Sequence, residues 1–233
     1  ALEAARRIAP RPRPQEIIAV RDEEGRFGPF TGSRAMTGDL DDEGFERLRD
    51  ADGAMLVDAM AALGYRPDGP RAAARDLSSI EAWLEVHIEQ GPVLEAAGLP
   101  LGVVTAIAGQ RRLSLRFTGV SGHAGTVPMD ARRDAFQAAA RFAVAFDEMI
   151  QDEGEGAHGT IGIVRVTPNQ GNVIPGEARL SLEIRDTDDG RLGRLACRIA
   201  ELSDAAAAAT RTGVSIREIH ASVPVAMSAT LIA

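Results

Sequence analysis

From residue 109 onward the chain runs through two hydrophobic periods in a fixed order, and few folds satisfy that order. Leu113, Leu115 and Phe117 recur at every second residue, as do Ala178, Leu180, Leu182 and Ile184. Such alternation marks strands with one buried face. Between them Phe142, Phe146 and Met149 recur at helical spacing, and the alanine run at 205–209 suits a second helix. The pattern predicts strand 112–118, helix 131–150, strands 160–167 and 177–185, helix 190–210 and strand 214–220. This βαββαβ order is the split arrangement of an antiparallel sheet with two helices on one face.

The first half reads differently. A helix over 2–8 is expected to stop at Pro10, Pro12 and Pro14, followed by a short apolar strand over 16–20 of the kind buried on both faces. Asp22, Glu23 and Glu24 follow at its carboxyl end, where open α/β sheets place their ligands. Helices are predicted over 41–50 and 54–63, the second with Asp52 as a candidate N-cap and Gly64 as its stop. Residues 83–89 alternate, so that His87 shares a strand face with the carboxylates Glu85 and Glu89. Gly91-Pro92 opens a short helix that Gly98 closes. The expected division is a part of one domain over 1–108, a second domain over 109–220, and a return toward the first over 221–233. Two or three strands cannot complete a sheet in the first of these.

Composition narrows the class of partner. The 233 residues carry 34 acids against 26 bases, a formal charge of −8, which offers a phosphate backbone no general attraction, so no nucleic-acid partner is expected. Every base is Arg, a coding bias without chemical weight. No apolar run approaches the roughly 20 residues that a membrane span needs. The single Cys197 can form no internal disulfide and the first residues contain no apolar leader core. A soluble, cytoplasmic protein is the expectation.

Taken singly, the polar residues leave their roles open. Glu23 and Glu24 could divide the work of general base and cation ligand, or could be two solvated acids opening a loop. His87 on a polar strand face is equally a surface residue. His123 lies in the glycine-rich stretch Ser121-Gly122-His123-Ala124-Gly125-Thr126, which permits close approach to a ligand and is also what a flexible connection contains. Asn172 sits in Gln170-Gly171-Asn172-Val173-Ile174-Pro175-Gly176, where a turn alone accounts for Asn and Gly. Arg185 belongs to the open face of its strand with Arg179, Ser181 and Glu183, where solvation is the ordinary state.

Order and spacing join these signals. Asp22-Glu23-Glu24-Gly25, His87-Ile88-Glu89-Gln90-Gly91-Pro92, Gly109-Gln110-Arg111-Arg112, Gly122-His123-Ala124-Gly125 with Pro128-Met129, Asn172-Val173-Ile174-Pro175-Gly176 and Ile184-Arg185 together resemble the M20-type metal-dependent amidohydrolases. The resemblance is to the branch of allantoate amidohydrolase, N-carbamoyl-L-amino-acid hydrolase and β-ureidopropionase, and spans about residues 15–225. It implies an α/β fold: a partial zinc-peptidase-like catalytic domain with an inserted ferredoxin-like βαββαβ lid that also makes a homodimer. It also implies two divalent metal ions, zinc or manganese, acting on a small ureido acid. By the same matching Glu24 and His87 are metal ligands and Glu23 the general base. Gln90, His123, Asn172 and Arg185 are substrate contacts, the histidine reaching the neighbouring subunit's site.

Two departures from that pattern stand out. Gly25-Arg26-Phe27 is contiguous where the family usually has an intervening residue, and Arg21 replaces a small one. The segments that supply an upstream histidine ligand and bridging aspartate, and a downstream histidine ligand, are not in the sequence. Two expectations follow: a fragment of a larger enzyme that binds metal weakly on its own, or a non-catalytic dimerisation and binding module.

Overall fold

A computed structural model describes residues 14–23, 25–65 and 68–233. The predicted helix over 2–8 and Glu24 lie outside the described residues. The chain divides into two compact units, residues 1–88 and 89–233.

In the first unit the described helices are α1 (Thr31–Thr37), α2 (Asp42–Arg47) and α3 (Leu56–Ala62). The side chain of Asp41 accepts from Gly44 N–H and so starts α2. Asp52 does not cap α3. The carboxylate of Asp50 instead takes the amides of Asp52 and Ala54, which makes 50–54 a turn, and Met55 stands at the cap position. Gly64, at φ 80°, ends α3 as expected. Leu40, Phe45 and Leu56 form a small buried cluster with Phe27, Leu48 and Met60 against it.

Both strands predicted in this half are corrected: residues 16–20 and 83–89 have no ladder partner among the described residues. Ile17 is 79% exposed and Val86 99%. A strand is defined by the chain that pairs with it, and the pattern of side chains carries no information on whether that chain is present.

The second unit begins with the single helical turn α4 (Val93–Ala96) and is dominated by a four-stranded antiparallel sheet. β1 (Ala106–Ile107) precedes β2 (Gly109–Thr118) and the short β3 (Gly122–His123). Helix α5 (Ala135–Glu153) leads to β4 (His158–Thr167), the short β5 (Val173–Ile174) and β6 (Glu177–Asp186). Helix α6 (Asp189–Thr210) leads to β7 (Gly213–Ser222), followed by β8 (Val225–Ala226), which pairs with β1, and the turn α7 (Ala229–Ile232). The sheet order is β4-β6-β2-β7. The predicted βαββαβ succession is therefore present, each predicted boundary lying within four residues of the observed one.

Helix starts are chemically explicit. Asp134 accepts from the amides of Phe136 and Gln137, and Asp188 accepts from that of Arg191. One face of α5 buries Ala138, Phe142, Phe146 and Met149, and one face of α6 buries Leu192, Leu195 and Ile199. They close on Leu113, Leu115, Phe117, Leu180, Leu182 and Ile184 of the sheet. The Phe117 and Phe142 rings lie 6.0 Å apart, and Phe142 and Phe146 5.9 Å. The opposite sheet face carries two charge ladders. Glu183 pairs with Arg112 and Arg185, and Glu177 with Arg116 and Arg179. Among the described residues no helix is long and apolar enough to cross a membrane.

Candidate active site

The acidic loop of the first unit is held by its own first residue. Asp22 adopts φ 58°, and its carboxylate accepts from Arg26 N–H at 2.7 Å, Phe27 N–H at 3.3 Å and the Thr31 hydroxyl at 2.9 Å. The contiguous Gly25-Arg26-Phe27 is thus folded back onto Asp22, with Gly25 at φ 83° providing the reversal. Arg26 pairs with Asp50 through Nε at 3.2 Å and Nη2 at 2.9 Å, which holds the Asp50 carboxyl below its usual range. Glu23 is fixed at both ends. Its carbonyl accepts from Phe30 N–H, and both carboxylate oxygens lie 3.3 Å from the hydroxyl of Ser33 on α1. Ser33 is a neighbour that the sequence pattern did not single out.

His87 places Nδ1 2.5 Å from the carbonyl of Ile88. A carbonyl can only accept, so in this contact Nδ1 is the donor, and the neutral ring then carries its lone pair on Nε2, the form in which an imidazole ligates a cation. Glu89 is spent otherwise: its carboxylate accepts from the amides of Val93 and Leu94 at the start of α4. Gln90, at φ 57°, is exposed. Among the described residues no three His, Cys, Asp or Glu side chains converge on a point that could hold a metal ion. The described residues by themselves do not make a metal site.

In the second unit the structure joins two residues that are far apart in sequence. β3 and β5 pair antiparallel, His123 opposite Val173, and Ala124 N–H donates to the Asn172 carbonyl at 2.9 Å. His123 Nδ1 accepts from Gly125 N–H at 3.0 Å. Arg185 is not part of that cluster. β6 leaves the β5 turn at Glu177 and reaches Arg185 eight residues later, about 26 Å away at the rise of a strand. There Arg185 stands opposite His158 on β4 and Gln110 on β2, its Nε donating to Glu183 at 2.5 Å. Burial raises the Glu183 carboxyl, but Arg112 and Arg185 outweigh it and leave the group below its usual range.

Comparison with known proteins agrees with this layout. Residues 105–211 match the family described as peptidase dimerisation domain, M20 type. The chain is 35% identical over 221 residues to an N-carbamoyl-L-amino-acid amidohydrolase of Paenarthrobacter aurescens, covering 94% of this chain and 54% of that protein. It is 40% identical over 176 residues to the allantoate amidohydrolase of Escherichia coli K12, covering 74% and 42%. Crystal structures of hydantoinase/carbamoylase family amidases superpose on it. That from Burkholderia ambifaria gives a TM-score of 0.78 at 33% identity, over 92% of this chain and 52% of that one. That from Burkholderia phymatum gives 0.79 at 36%, over 91% and 53%. Residues 105–211 are thus those of an M20 dimerisation domain, and the chain as a whole is similar to the M20-type amidohydrolases. Within them its kinship is to the branch of N-carbamoyl-L-amino-acid and allantoate amidohydrolases. The chain spans about half the length of the curated relatives it matches.

Proposed function

We propose that this chain forms the lid and part of the catalytic domain of a longer hydrolase. Its reaction is cleavage of the ureido or carbamoyl C–N bond of a small carboxylate-bearing substrate. The observation that carries the reading is the β3–β5 ribbon, which sets His123 beside Asn172 across 49 residues of sequence. Residues 1–108 belong to the catalytic domain in this reading, 109–220 to the lid and 221–233 to the return. Toward two divalent ions, zinc or manganese, the chain offers Glu24 and the Nε2 of His87, with the other ligands supplied from outside it.

The chain's own residues divide the remaining work. Glu23, held by Ser33, takes the proton of the attacking water and hands it to the leaving nitrogen. His123 presents Nε2–H to the oxygen that becomes negative at the tetrahedral stage. Arg185 offers its outward Nη groups as a fork to the substrate carboxylate, and Gln90 contacts the substrate beside it. Asn172 serves with His123. The run of β6 sets Arg185 about 26 Å from Glu177, at the end where the chain leaves the β3–β5 ribbon. That span is too long for a small ureido acid, so in this reading one site draws Arg185 from one copy and His123 with Asn172 from another.

Surface chemistry supports such a homodimer. β4 is an open sheet edge on which Ile163 and Val164 are half-exposed, and on α5 the exposed Phe136 and Val144 form an apolar stripe. An apolar stripe beside an unpaired edge favours a second copy. The test is ammonia release by the complete enzyme from allantoate and from a series of N-carbamoyl-L-amino acids. Turnover of none of them, by a protein loaded with zinc or manganese, would exclude the reaction class.

A further inference from the structure

The turn that carries His123 is held by a side chain outside it. Arg132, half-buried just before α5, donates from Nε to the Val127 carbonyl at 3.1 Å and from Nη2 to the Ala124 carbonyl at 2.5 Å. The turn also closes on itself, since Thr126 N–H and Val127 N–H both donate to the His123 carbonyl at 3.2 Å. Ala124 C=O and Gly125 N–H belong to one planar trans peptide and point in opposite directions. Fixing the oxygen on Arg132 therefore aims the Gly125 N–H away from the guanidinium, and its 3.0 Å acceptor is Nδ1 of His123. A Cβ on residue 125 would lie 3.2 Å from Cε1 of the His123 ring, so the ring would have to shift by a few tenths of an ångström.

We propose that Arg132 is a positioning residue that sets the tautomer of His123. A ring whose Nδ1 accepts from an amide keeps its proton on Nε2 when neutral, and so faces the substrate as a hydrogen-bond donor. Two of the other three histidines make a built-in contrast. His87 and His158 direct Nδ1 at carbonyls, of Ile88 and Gly156, which places their protons on Nδ1. The proposal deepens the reading of His123 as oxyanion donor and rests on it for its catalytic consequence, whereas the tautomer itself is a property of this chain.

The test is nitrogen-15 NMR of the histidine rings in this chain, in alkaline buffer where imidazoles are neutral. His123→Gln assigns the signal among four histidines. The wild type is expected to show His123 protonated on Nε2 and His158 on Nδ1. In Arg132→Met the His123 signals should move toward a mixture of both tautomers while those of His158 and His220 stay fixed. Arg132→Lys should restore part of the wild-type state, and Gly125→Ala should produce the same mixture by pushing the ring off the amide. Retention of the sheet amide spectrum shows that each variant is folded. His123 nitrogens unmoved in both Arg132→Met and Gly125→Ala, or a wild-type ring already mixed, would overturn the proposal. In the complete hydrolase Arg132→Met should lower kcat about tenfold at constant KM, the size of one weakened donor, and Arg132→Lys should recover part of it. If His123→Gln leaves kcat intact, the oxyanion role fails while the NMR result stands.

Discussion

Two damaged lids should make one sound site. His123→Gln removes a donor to the developing oxyanion, which typically costs about 10²–10³ in kcat. Arg185→Ala removes the carboxylate fork, a loss of about 2–5 kcal/mol. At subsaturating substrate each homodimer should then retain at most about 3% of wild-type catalytic efficiency, since 2 kcal/mol is a factor of about 30. Arg185 lies eight residues along β6 from Glu177, whereas His123 lies on the separate β3–β5 ribbon that precedes that strand. If a site takes Arg185 from one copy and His123 from the other, a mixed dimer contains one site with both mutations and one with neither. Random pairing of equal amounts makes half of all dimers mixed, so about one quarter of wild-type sites return. Unfolding and refolding the two variants together, with differently tagged chains to purify the mixed dimer, gives dimers with half of their sites intact and, at subsaturating substrate, a gain of at least about 15-fold over either variant alone. Mixed dimers that are recovered but no more active than the mean of the two parents would mean that both residues serve the same copy's site.

Further expectations concern single residues. Arg185→Ala should raise KM for the acid substrate by about two orders of magnitude, Arg185→Lys should recover only part, and a substrate amide should not distinguish them from wild type; equal impairment on the amide would point to a structural role. Glu23→Gln should keep metal but lose several orders of magnitude in turnover in the complete enzyme, whereas Glu24→Gln should lose metal, as read by elemental analysis. Phe142→Ala, at a fully buried site between two aromatic rings, should lower the unfolding free energy of the lid by about 3–5 kcal/mol in urea titrations. Acid should weaken the lid as well. Burial raises the Asp186 carboxyl, but Arg191 and backbone amides leave it lowered overall, and Arg179 and Arg116 lower Glu177. Carboxyls depressed on folding stabilise the protein above their unfolded values, near 3.8 and 4.5, and that contribution fades as pH falls through the folded values. The urea midpoint should be flat above about pH 6 and fall below about pH 4, less so in Asp186→Asn; a midpoint that rises on acidification would contradict the sign.

The lid was legible because its sequence pattern is closed within the chain. Leu113 to Phe117 and Ala178 to Ile184 find their partners in each other, and α5 and α6 complete the core they face. Residues 16–20 and 83–89 show an equally clear apolar pattern and form no ladder among the described residues, because such a pattern specifies which side chains are apolar and leaves the partner unspecified. The candidate site was legible as a set of residues and less so as an arrangement. That His123 and Asn172 meet follows from the β3–β5 pairing, and that Arg185 stands apart follows from the length of β6. Neither depends on residue identity. Arg132 and Ser33 escaped notice for a different reason: their partners are backbone oxygens or a side chain ten residues away, contacts that leave no periodic trace.

The unpaired stretch before α4 has a practical consequence. Leu84, Val86 and Ile88 are 82%, 99% and 75% exposed on a segment without a proline or an internal hydrogen-bond ladder. Segments of that kind are templates for sticky edge-to-edge growth. A preparation of this chain should therefore form concentration-dependent oligomers by a route unrelated to the lid. Val86→Lys, placing a gatekeeper charge in the middle of the segment, should suppress that route and leave any lid-mediated dimer to be counted by itself.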